Sequence, residues 1–463
     1  MHEHGEEKHW HNMARAGSFS RRHFEVNVPL KKSSDLWQNK VSARASRRRA
    51  RHRAADTVAL QAMGDPSSPT KRLSTLWWTS SLTQTFETPS RLSQVRLVGR
   101  LALRLAWMSI RGSPMWVFNV LRLAVFAAAL MPALLRCAWY WYRRVDINVP
   151  YGPGLRHLLD VYPAQNGADG ARAPVVVFVA GGAWVIGYKA WGVPLGRALS
   201  LHGCLVVAPD YRNCPQCGVD GMVDDVDRAV AWCFDNAERF GGDPRRVVLV
   251  GQSAGAHLCA LLLTRKLAAR RAAAAKRASD APGFSDSDDD AAEAWRPGDL
   301  NGFCGVSGPY HVPATAAHWR AKGFGQVILD FIFGDEAGMT RHSPTTVAAG
   351  VSGPIDAGDL CRVALIHGTA DQSAPPVAAE LLEARLRLLG ADVEATRLYR
   401  GWTHTDPILE RPFAGDQRLH RDIFDLVDRW TGGGLPAFDG ALPGLRRMCP
   451  QALIDFGHAA MPF

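Results

Sequence analysis

The sequence predicts an α/β protein with a mostly parallel central sheet and helices on both faces. A basic disordered tail and a hydrophobic, membrane-associated helical segment precede it. Short apolar runs alternate with helical stretches after residue 145, and a Gly-x-Ser-x-Gly motif ends one of these runs. An aspartate and a histidine follow two later runs. Such alternation is typical of parallel sheets covered by helices.

The positive charge is concentrated at the N-terminus. Residues 1–144 contain 24 Lys and Arg against 8 Asp and Glu, whereas residues 145–463 contain 30 against 36. Residues 1–90 show no sustained apolar period, so we expect a mostly disordered tail. Basic tails can contact nucleic acid or an anionic membrane. The sequence after this tail shows no pattern of a nucleic-acid-binding fold, so no nucleic-acid partner is predicted.

Residues 91–144 contain no acidic side chain and form the predicted membrane-associated segment. Arg96, Arg100 and Arg104 recur four apart, which is typical of a basic amphipathic helix. The uncharged stretch that follows, 123–135, has 13 residues, whereas a membrane span needs about 20. Four aromatic residues and two arginines come next, as in an interfacial belt. We expect membrane insertion; a helix buried against the α/β domain is the alternative.

Residues 145–435 form the predicted α/β domain, with a low-complexity insertion at 265–298 and a C-terminal tail at 436–463. A helix is predicted from Ala254 to Ala268. Seven apolar runs have the length of strands: His157–Tyr162, Val175–Val179, Cys204–Ala208, Val247–Val250, Gly302–Val306, Val363–Ile366 and Val393–Tyr399. The aromatic residues between Ala314 and Arg341 indicate either a lid or substrate groove, or ordinary helix packing. They are Trp319, Phe324, Phe331 and Phe333.

The motif Gly251-Gln252-Ser253-Ala254-Gly255 indicates a nucleophile elbow. The apolar run Val247–Val250 precedes it and a helical stretch follows it, which is the strand–turn–helix context that this motif requires. Glycines flank the serine because the sharp turn brings backbone against backbone, where a Cβ atom would clash. Ser253 is therefore a candidate nucleophile.

Two later loops supply the other members of a catalytic triad. Asp371 follows the run Val363–Ile366, and His404 follows the run that ends at Tyr399. The chain order serine, acid, histidine is the order of the α/β-hydrolase fold. A serine becomes a nucleophile only when a neighbouring imidazole takes its proton, and the carboxylate orients that imidazole. Asp406 is a weaker candidate for the acid because it follows the histidine.

A glycine turn after the run Val175–Val179 supplies a candidate oxyanion hole. The stretch is Ala180-Gly181-Gly182-Ala183-Trp184, where lipase-like enzymes carry His-Gly-Gly-Gly. Backbone N–H groups survive these replacements, and preorganised donors of this kind stabilise a tetrahedral intermediate. The N–H of Ala254, next to the serine, is the further donor. Two nearby histidines, His257 and His367, are interpreted as structural or core residues.

No cofactor and no metal site are predicted. Nine cysteines are scattered without framework spacing, which favours free thiols. Cys214 and Cys217 form a CxxC pair, but no second pair or histidine cluster accompanies it.

Several stretches resemble the isoprenylcysteine alpha-carbonyl methylesterases of plants over roughly residues 115–430. These stretches are Gly181–Trp184 continuing through Gly187–Gly192, Asp210–Asn213, Phe240–Pro244, Gly251–His257 and Thr403–Asp406. Departures from that family are Ala180 in place of a threonine, the two cysteines after Asn213, and the acidic insertion.

The resemblance implies a serine carboxylesterase that hydrolyses the carboxyl methyl ester of prenylated cysteine at an endoplasmic reticulum or Golgi membrane. It implies that Ser253, Asp371 and His404 form the triad. It also implies that Gly181, Gly182, Ala183, Gln252 and Ala254 line the site of the substrate carbonyl. The alternatives are a general carboxylesterase or arylformamidase of the same fold, and a non-catalytic ligand-binding protein.

Overall fold

The structure is a computed structural model. It describes residues 114–165, 171–279, 294–321, 325–442 and 445–461, together with scattered positions between 90 and 104 that include helical ones. The predicted disordered tail lies outside the described residues except for Ser90, and the acidic part of the predicted insertion also lies outside them.

Eight strands form one sheet in the order β1-β2-β4-β3-β5-β6-β7-β8. β2 pairs antiparallel with both β1 and β4, and the remaining pairs are parallel. The strands are β1 Asp146–Pro150, β2 Leu158–Tyr162, β3 Ala173–Val179, β4 Leu205–Pro209, β5 Gly242–Gln252, β6 Gly302–Val306, β7 Arg362–Gly368 and β8 Arg397–Tyr399.

Helices precede the sheet and connect its strands. α1 Pro114–Ala129 and α2 Met131–Arg144 come before β1. The others are α3 Val193–Ser200, α4 Val219–Asn236, α5 Ala254–Ser279, α6 Val312–Ala321, α7 Gln326–Phe333, α8 Glu336–Arg341, α9 Pro344–Ala349, α10 Val377–Leu388, α11 Glu410–Phe413, α12 Arg418–Trp430 and α13 Gln451–Ala460. Short 3₁₀ turns lie at Lys189–Gly192, Ala237–Phe240 and Pro297–Asp299.

The two faces of the sheet are covered by two hydrophobic cores. Val175, Val177 and Val179 of β3 belong to one core, together with residues of α4 and α5. Val176 and Phe178 belong to the other, together with residues of α2, α3 and α12. Successive strand residues point to opposite faces, so a run that is apolar at every position must be buried on both sides. This confirms the predicted α/β fold with helices on both faces.

The seven predicted strands all form, with ends that differ by a few residues. The largest differences are at β5, which begins at Gly242, and at β8, which begins only at Arg397. Val393 makes an isolated bridge to Val363 before β8 begins. The sequence analysis missed β1, because its sequence DINVP contains Asp, Asn and Pro and has no apolar run.

The predicted hydrophobic segment forms α1 and α2, which meet at Leu130 with a bend of 72°. Among the described residues, no single helix has the length and apolar character of a bilayer span. The bent pair of α1 and α2 has the length and composition for one when the two helices are taken together. One face of α2 is buried against the core; its residues are Ala133, Cys137 and Tyr140. Other side chains of the two helices are exposed: Phe118, Leu121, Met131, Leu135, Trp139 and Tyr142.

The stretch 436–463, predicted as a C-terminal tail, contains α13, which packs on the N-terminal helices. α13 lies along α1, and a Cβ atom on Gly457 would be 3.3 Å from the Cβ atom of Ala129. Arg122 donates hydrogen bonds of 3.0 and 2.9 Å to the carbonyl oxygens of Ala460 and Met461. The sequence analysis missed this contact because its two halves lie more than 300 residues apart.

Both ends of the predicted insertion at 265–298 lie among the described residues. α5 continues to Ser279, and Leu267 within it is fully buried. Trp295 is also buried, with the ammonium of Lys266 4.7 Å from the centre of its ring. The two ends of the predicted insertion are therefore parts of the packed domain.

Candidate active site

Ser253 stands on a strained turn between β5 and α5. Its φ of 52° is uncommon for a residue with a side chain. A Cβ atom on Gly251 would be 2.6 Å from the Cα atom of Ala256, and one on Gly255 would be 2.7 Å from the carbonyl oxygen of Ala180. Only glycine fits at these two positions, which explains why the serine lies between glycines.

His404 and Asp371 lie beside this serine, as predicted. The Nε2 atom of His404 is 2.7 Å from Oγ of Ser253, and its Nδ1 atom is 2.8 Å from Oδ2 of Asp371. Ser253 is 8% exposed and the carboxylate of Asp371 is fully buried. The three side chains form one hydrogen-bonded chain that ends at Oγ of Ser253.

Asp371 is held ionised by its surroundings. Burial alone would raise its pKa, but the charge of His404 and hydrogen bonds from His367 and His404 outweigh burial and keep the pKa well below its usual range. Its Oδ1 atom also accepts from the N–H groups of Ser373 and Ala374, both at 2.9 Å. The carboxylate is thereby fixed in orientation as well as in charge.

His367, interpreted from the sequence as a core residue, also contacts the candidate catalytic acid. It is fully buried, as expected for a core residue, but its Nε2 atom lies 3.2 Å from Oδ2 of Asp371. It also lies 2.5 Å from the carbonyl oxygen of Ala374. The imidazole thus fixes the acid loop from behind. The signal available in the sequence was its position four residues before the aspartate.

Asp406 does not take the place of Asp371. Its carboxylate accepts from the N–H and the hydroxyl of Thr403 at 2.8 and 3.1 Å, and from the guanidinium of Arg411 at 3.1 Å. Asp406 therefore shapes the turn that carries His404.

His257 is buried behind the serine. One ring nitrogen lies 2.7 Å from the carbonyl oxygen of His342, and the indole N–H of Trp184 donates to the other at 3.3 Å. Burial lowers the pKa of His257 to about 3, so the ring is neutral. This environment agrees with its interpretation as a structural residue.

The predicted oxyanion loop lies against the elbow. A Cβ atom on Gly181 would be 2.7 Å from the Cβ atom of Ser253, and one on Gly182 would be 2.6 Å from the Cα atom of Gly187. Gly182 and Ala183 have φ values of 137° and 49°. The backbone of this loop therefore packs directly against the turn that carries the serine.

A second row of side chains, which the sequence analysis did not assign a role, holds this loop in place. The carbonyl oxygen of Gly187 accepts from Arg156 at 2.8 Å and from Asn213 at 2.7 Å. Tyr211 donates to the carbonyl oxygen of Ala180 at 2.9 Å. The available signal was the stretch Asp210–Asn213, noted only as part of the resemblance.

The aromatic residues between 314 and 341 divide between packing and surface. The ring centres of Trp319 and Phe333 lie 5.2 and 5.1 Å from that of Trp184. The indole of Trp319 donates to the carbonyl oxygen of Ser373, beside the acid loop, at 2.6 Å. Phe331 is exposed, and Phe324 lies outside the described residues.

Burial raises the pKa of Cys214 to about 12 and that of Cys217 to about 11, so both thiols are protonated at neutral pH. Within the described part of the chain, no three or more His, Cys, Asp or Glu side chains are grouped as metal ligands would be.

Comparison with known proteins gives a consistent result. Residues 159–294 match the BD-FAE family. A probable isoprenylcysteine alpha-carbonyl methylesterase of Oryza sativa subsp. japonica is 32% identical over 351 residues, covering 75% of this chain and 78% of that one. The isoprenylcysteine alpha-carbonyl methylesterase of Arabidopsis thaliana is 33% identical over 351 residues, covering 75% and 77%.

Among solved structures, esterase B from Lactobacillus Rhamnosis (HN001) is similar, with 16% identity and a TM-score of 0.48, over 68% of this chain and 96% of that one. The sheet order, the elbow and the related sequences define the class: this protein is an α/β-hydrolase and a carboxylic ester hydrolase. More narrowly, the chain belongs to the isoprenylcysteine alpha-carbonyl methylesterase family.

Proposed function

We propose that this protein hydrolyses the carboxyl methyl ester of isoprenylated cysteine, with Ser253, His404 and Asp371 as its catalytic triad. The observation that carries the mechanism is the unbroken hydrogen-bonded chain from Asp371 through His404 to Oγ of Ser253. The names of the relatives from rice and Arabidopsis support the substrate.

The reaction begins when Nε2 of His404 takes the proton of Ser253 as Oγ attacks the ester carbonyl carbon. Asp371, hydrogen-bonded to Nδ1, keeps the ring in the tautomer whose Nε2 can accept that proton, and it stabilises the imidazolium that forms. Because the carboxylate is ionised and buried, this stabilisation is little screened by water.

The tetrahedral intermediate carries a negative charge on the former carbonyl oxygen. The N–H groups of the Gly181–Ala183 loop and of Ala254 donate to this oxygen, and Gln252 lines the same site. Removal of one such donor in a well-studied protease costs about 3–4 kcal/mol. The loop is held from behind, so these donors need little reorganisation as charge develops.

Collapse of the intermediate breaks the bond to the methoxy oxygen. His404 returns its proton to this oxygen and methanol leaves, so an acyl-enzyme remains on Ser253. A water molecule, deprotonated by His404, then attacks the acyl carbon. The products are methanol and the free carboxylate of the isoprenylated cysteine, and the serine is regenerated with its proton.

An isoprenoid chain partitions into lipid, so this substrate is met at a bilayer surface. The exposed apolar side chains of α1 and α2, with Arg143 and Arg144 at the end of α2, suit an interfacial contact. The proposed site of action is the endoplasmic reticulum or Golgi membrane, supported by the family resemblance. Flotation of the full chain with anionic vesicles tests the contact. Loss of flotation in Leu135→Glu/Trp139→Glu is expected, and unchanged flotation contradicts it.

The decisive experiment measures methanol release from N-acetyl-farnesylcysteine methyl ester beside hydrolysis of p-nitrophenyl acetate. Ser253→Ala is expected to lose both activities by at least four orders of magnitude. Ser307→Ala is the matched control, because Ser307 is also buried and also has a φ of 52°. It is expected to keep both activities.

A strong preference of the wild type for the farnesylated ester supports the proposed substrate. Turnover of the aryl ester alone leaves a general carboxylesterase and rejects that substrate. Retention of activity in Ser253→Ala rejects the triad.

A further inference from the structure

Trp141 differs from the aromatic residues around it on α2. Trp139 is 62% exposed and Tyr142 is also exposed, whereas Trp141 is turned towards the domain. Its indole N–H donates to Oδ2 of Asp160 at 2.6 Å. Asp160 lies on β2 and is fully buried. A buried carboxylate needs hydrogen bonds and an opposite charge, so loss of this contact would destabilise the folded protein.

The opposite charge comes from Lys189, which is 1% exposed and forms an ion pair with Asp160. Oδ1 of Asp160 also accepts from the N–H of Asn148 at 3.0 Å. The ammonium lies 5.1 Å from the ring centre of Trp141 and 5.6 Å from that of Tyr188, within the range of cation–π attraction. Trp141 therefore contacts both members of the ion pair.

Lys189 belongs to the chain segment that forms the oxyanion loop. The N–H groups of Val185 and Ile186 donate to the carbonyl oxygen of Gly182 at 2.9 and 2.8 Å. The indole of Trp191 donates to the carbonyl oxygen of Ile186 at 3.1 Å. Residues 182–191 are thus one hydrogen-bonded unit, and the buried ammonium of Lys189 anchors its far end.

We infer that Trp141 is a positioning residue for ester hydrolysis: through Asp160 and Lys189 it places the oxyanion loop against Ser253. This inference rests on the proposed roles of Ser253 and of the loop N–H groups. Hydrogen bonds to a transition-state oxygen depend strongly on donor position, and loss of a whole donor costs about 10²–10³-fold in kcat. Displacement of the loop without loss of a donor is expected to cost about tenfold, on the same scale.

The test uses the full chain and p-nitrophenyl acetate. Trp141→Phe keeps a ring over Lys189 and removes the N–H donor to Asp160. Trp139→Phe is the matched control, an equal change on the exposed side of the same helix; the assay contains no vesicles, so the proposed lipid contact of Trp139 plays no part in it. Titration to completion with a fluorophosphonate counts the competent sites, so that kcat is expressed per site. Thermal unfolding midpoints are measured in parallel.

In Trp141→Phe, kcat per titrated site is expected to fall about tenfold while KM stays within twofold. Trp139→Phe is expected to match the wild type in both. A purely structural role would lower the number of titrated sites and the unfolding midpoint and leave kcat per site unchanged; that result overturns the inference.

Lys189→Met is a second variant, which removes the ammonium that pairs with Asp160. It tests the same contact if Trp141→Phe folds poorly. It is expected to lower kcat per site at least as much. The double variant is expected to fall no further than the worse single variant, because both changes act through one contact. Additive losses overturn the inference. An active Ser253→Ala instead rejects the proposed triad, so the two failures are distinguishable.

Discussion

Glu410 lies buried at the start of α11, six residues after His404. Its surroundings predict how the free energy of unfolding depends on pH. One carboxylate oxygen accepts from the hydroxyl of Thr405 at 2.7 Å. Asp406 and Arg411, which pair with each other, lie nearby, and Nδ1 of His458 on α13 is 3.9 Å away. Burial, with a smaller contribution from the charge of Asp406, raises the pKa of Glu410 from 4.5 to about 7.

The direction in which the free energy of unfolding changes with pH follows from proton binding. The folded protein keeps the proton on Glu410 up to about pH 7, whereas the unfolded chain releases it near pH 4.5. The folded state binds more protons in this window, so the free energy of unfolding falls as pH rises through it. The rise of the pKa from 4.5 to about 7 corresponds to about 3 kcal/mol of unfolding free energy. The wild-type protein loses this stabilisation as the pH rises from about 4 to about 8.5.

Glu410→Gln keeps an acceptor for Thr405 and cannot ionise. Relative to the wild type, the variant is expected to gain about 3 kcal/mol of unfolding free energy between pH 4 and pH 8.5. Urea unfolding of both proteins across this range measures the difference in the free energy of unfolding. Titrating groups that behave alike in the two proteins contribute equally to both values and drop out of this difference. Glu336→Gln, at an exposed position, is the control and is expected to show a constant difference. A constant difference for Glu410→Gln refutes the reasoning.

Three further predictions concern the site and the C-terminal contact. Gly181→Ala places a Cβ atom 2.7 Å from that of Ser253, so kcat for p-nitrophenyl acetate is expected to fall at least tenfold. Gly440→Ala is the control, because a Cβ atom there comes no closer than 3.5 Å to its neighbours, an ordinary van der Waals distance. Asp371→Asn leaves His404 in the wrong tautomer, and kcat is expected to fall about 10⁴-fold in the same assay. Arg122→Leu removes two hydrogen bonds to the end of α13 and is expected to lower the free energy of unfolding by about 1–3 kcal/mol in urea, whereas the exposed Arg143→Leu is not.

Each of these outcomes has a clear contradiction. Wild-type turnover in Gly181→Ala would mean that the loop is further from the serine than the backbone places it. Wild-type turnover in Asp371→Asn would remove the carboxylate from the proposed triad. Equal urea midpoints for the Arg122 and Arg143 variants would mean that α13 is held by apolar contacts alone.

The sequence could predict those parts of the site that depend on local chemistry. Gly251 and Gly255 mark the elbow because only a sharp turn needs glycine on both sides of one serine. Asp371 and His404 were found because the carboxyl ends of parallel strands meet at one edge of a sheet, where binding residues gather. None of these steps needed knowledge of packing between distant segments.

The parts that the sequence analysis missed depend on such packing. His367 has the pattern of a core residue, and only the fold shows that its ring contacts Asp371. Glu410 is a glutamate, a residue type that is mostly exposed, and only the fold shows that it is buried. Arg156 reaches Gly187 across 31 positions of the chain. In each case the partner is set by tertiary structure, and residue type alone indicates only an ordinary polar or buried side chain.

The hydrophobic segment shows why composition alone left two interpretations open. Phe126, Leu130 and Tyr140 pack into the core of the domain, while Leu121 and Leu135 are exposed. Hydropathy counts these side chains alike, although the first group is already satisfied by protein contacts and only the second is available to lipid or to another partner. The same helix α2 that presents Trp139 to the exterior holds the carboxylate of Asp160 through Trp141, two residues on. A ligand that moved the outer face of α2 would therefore also move a contact of the oxyanion loop.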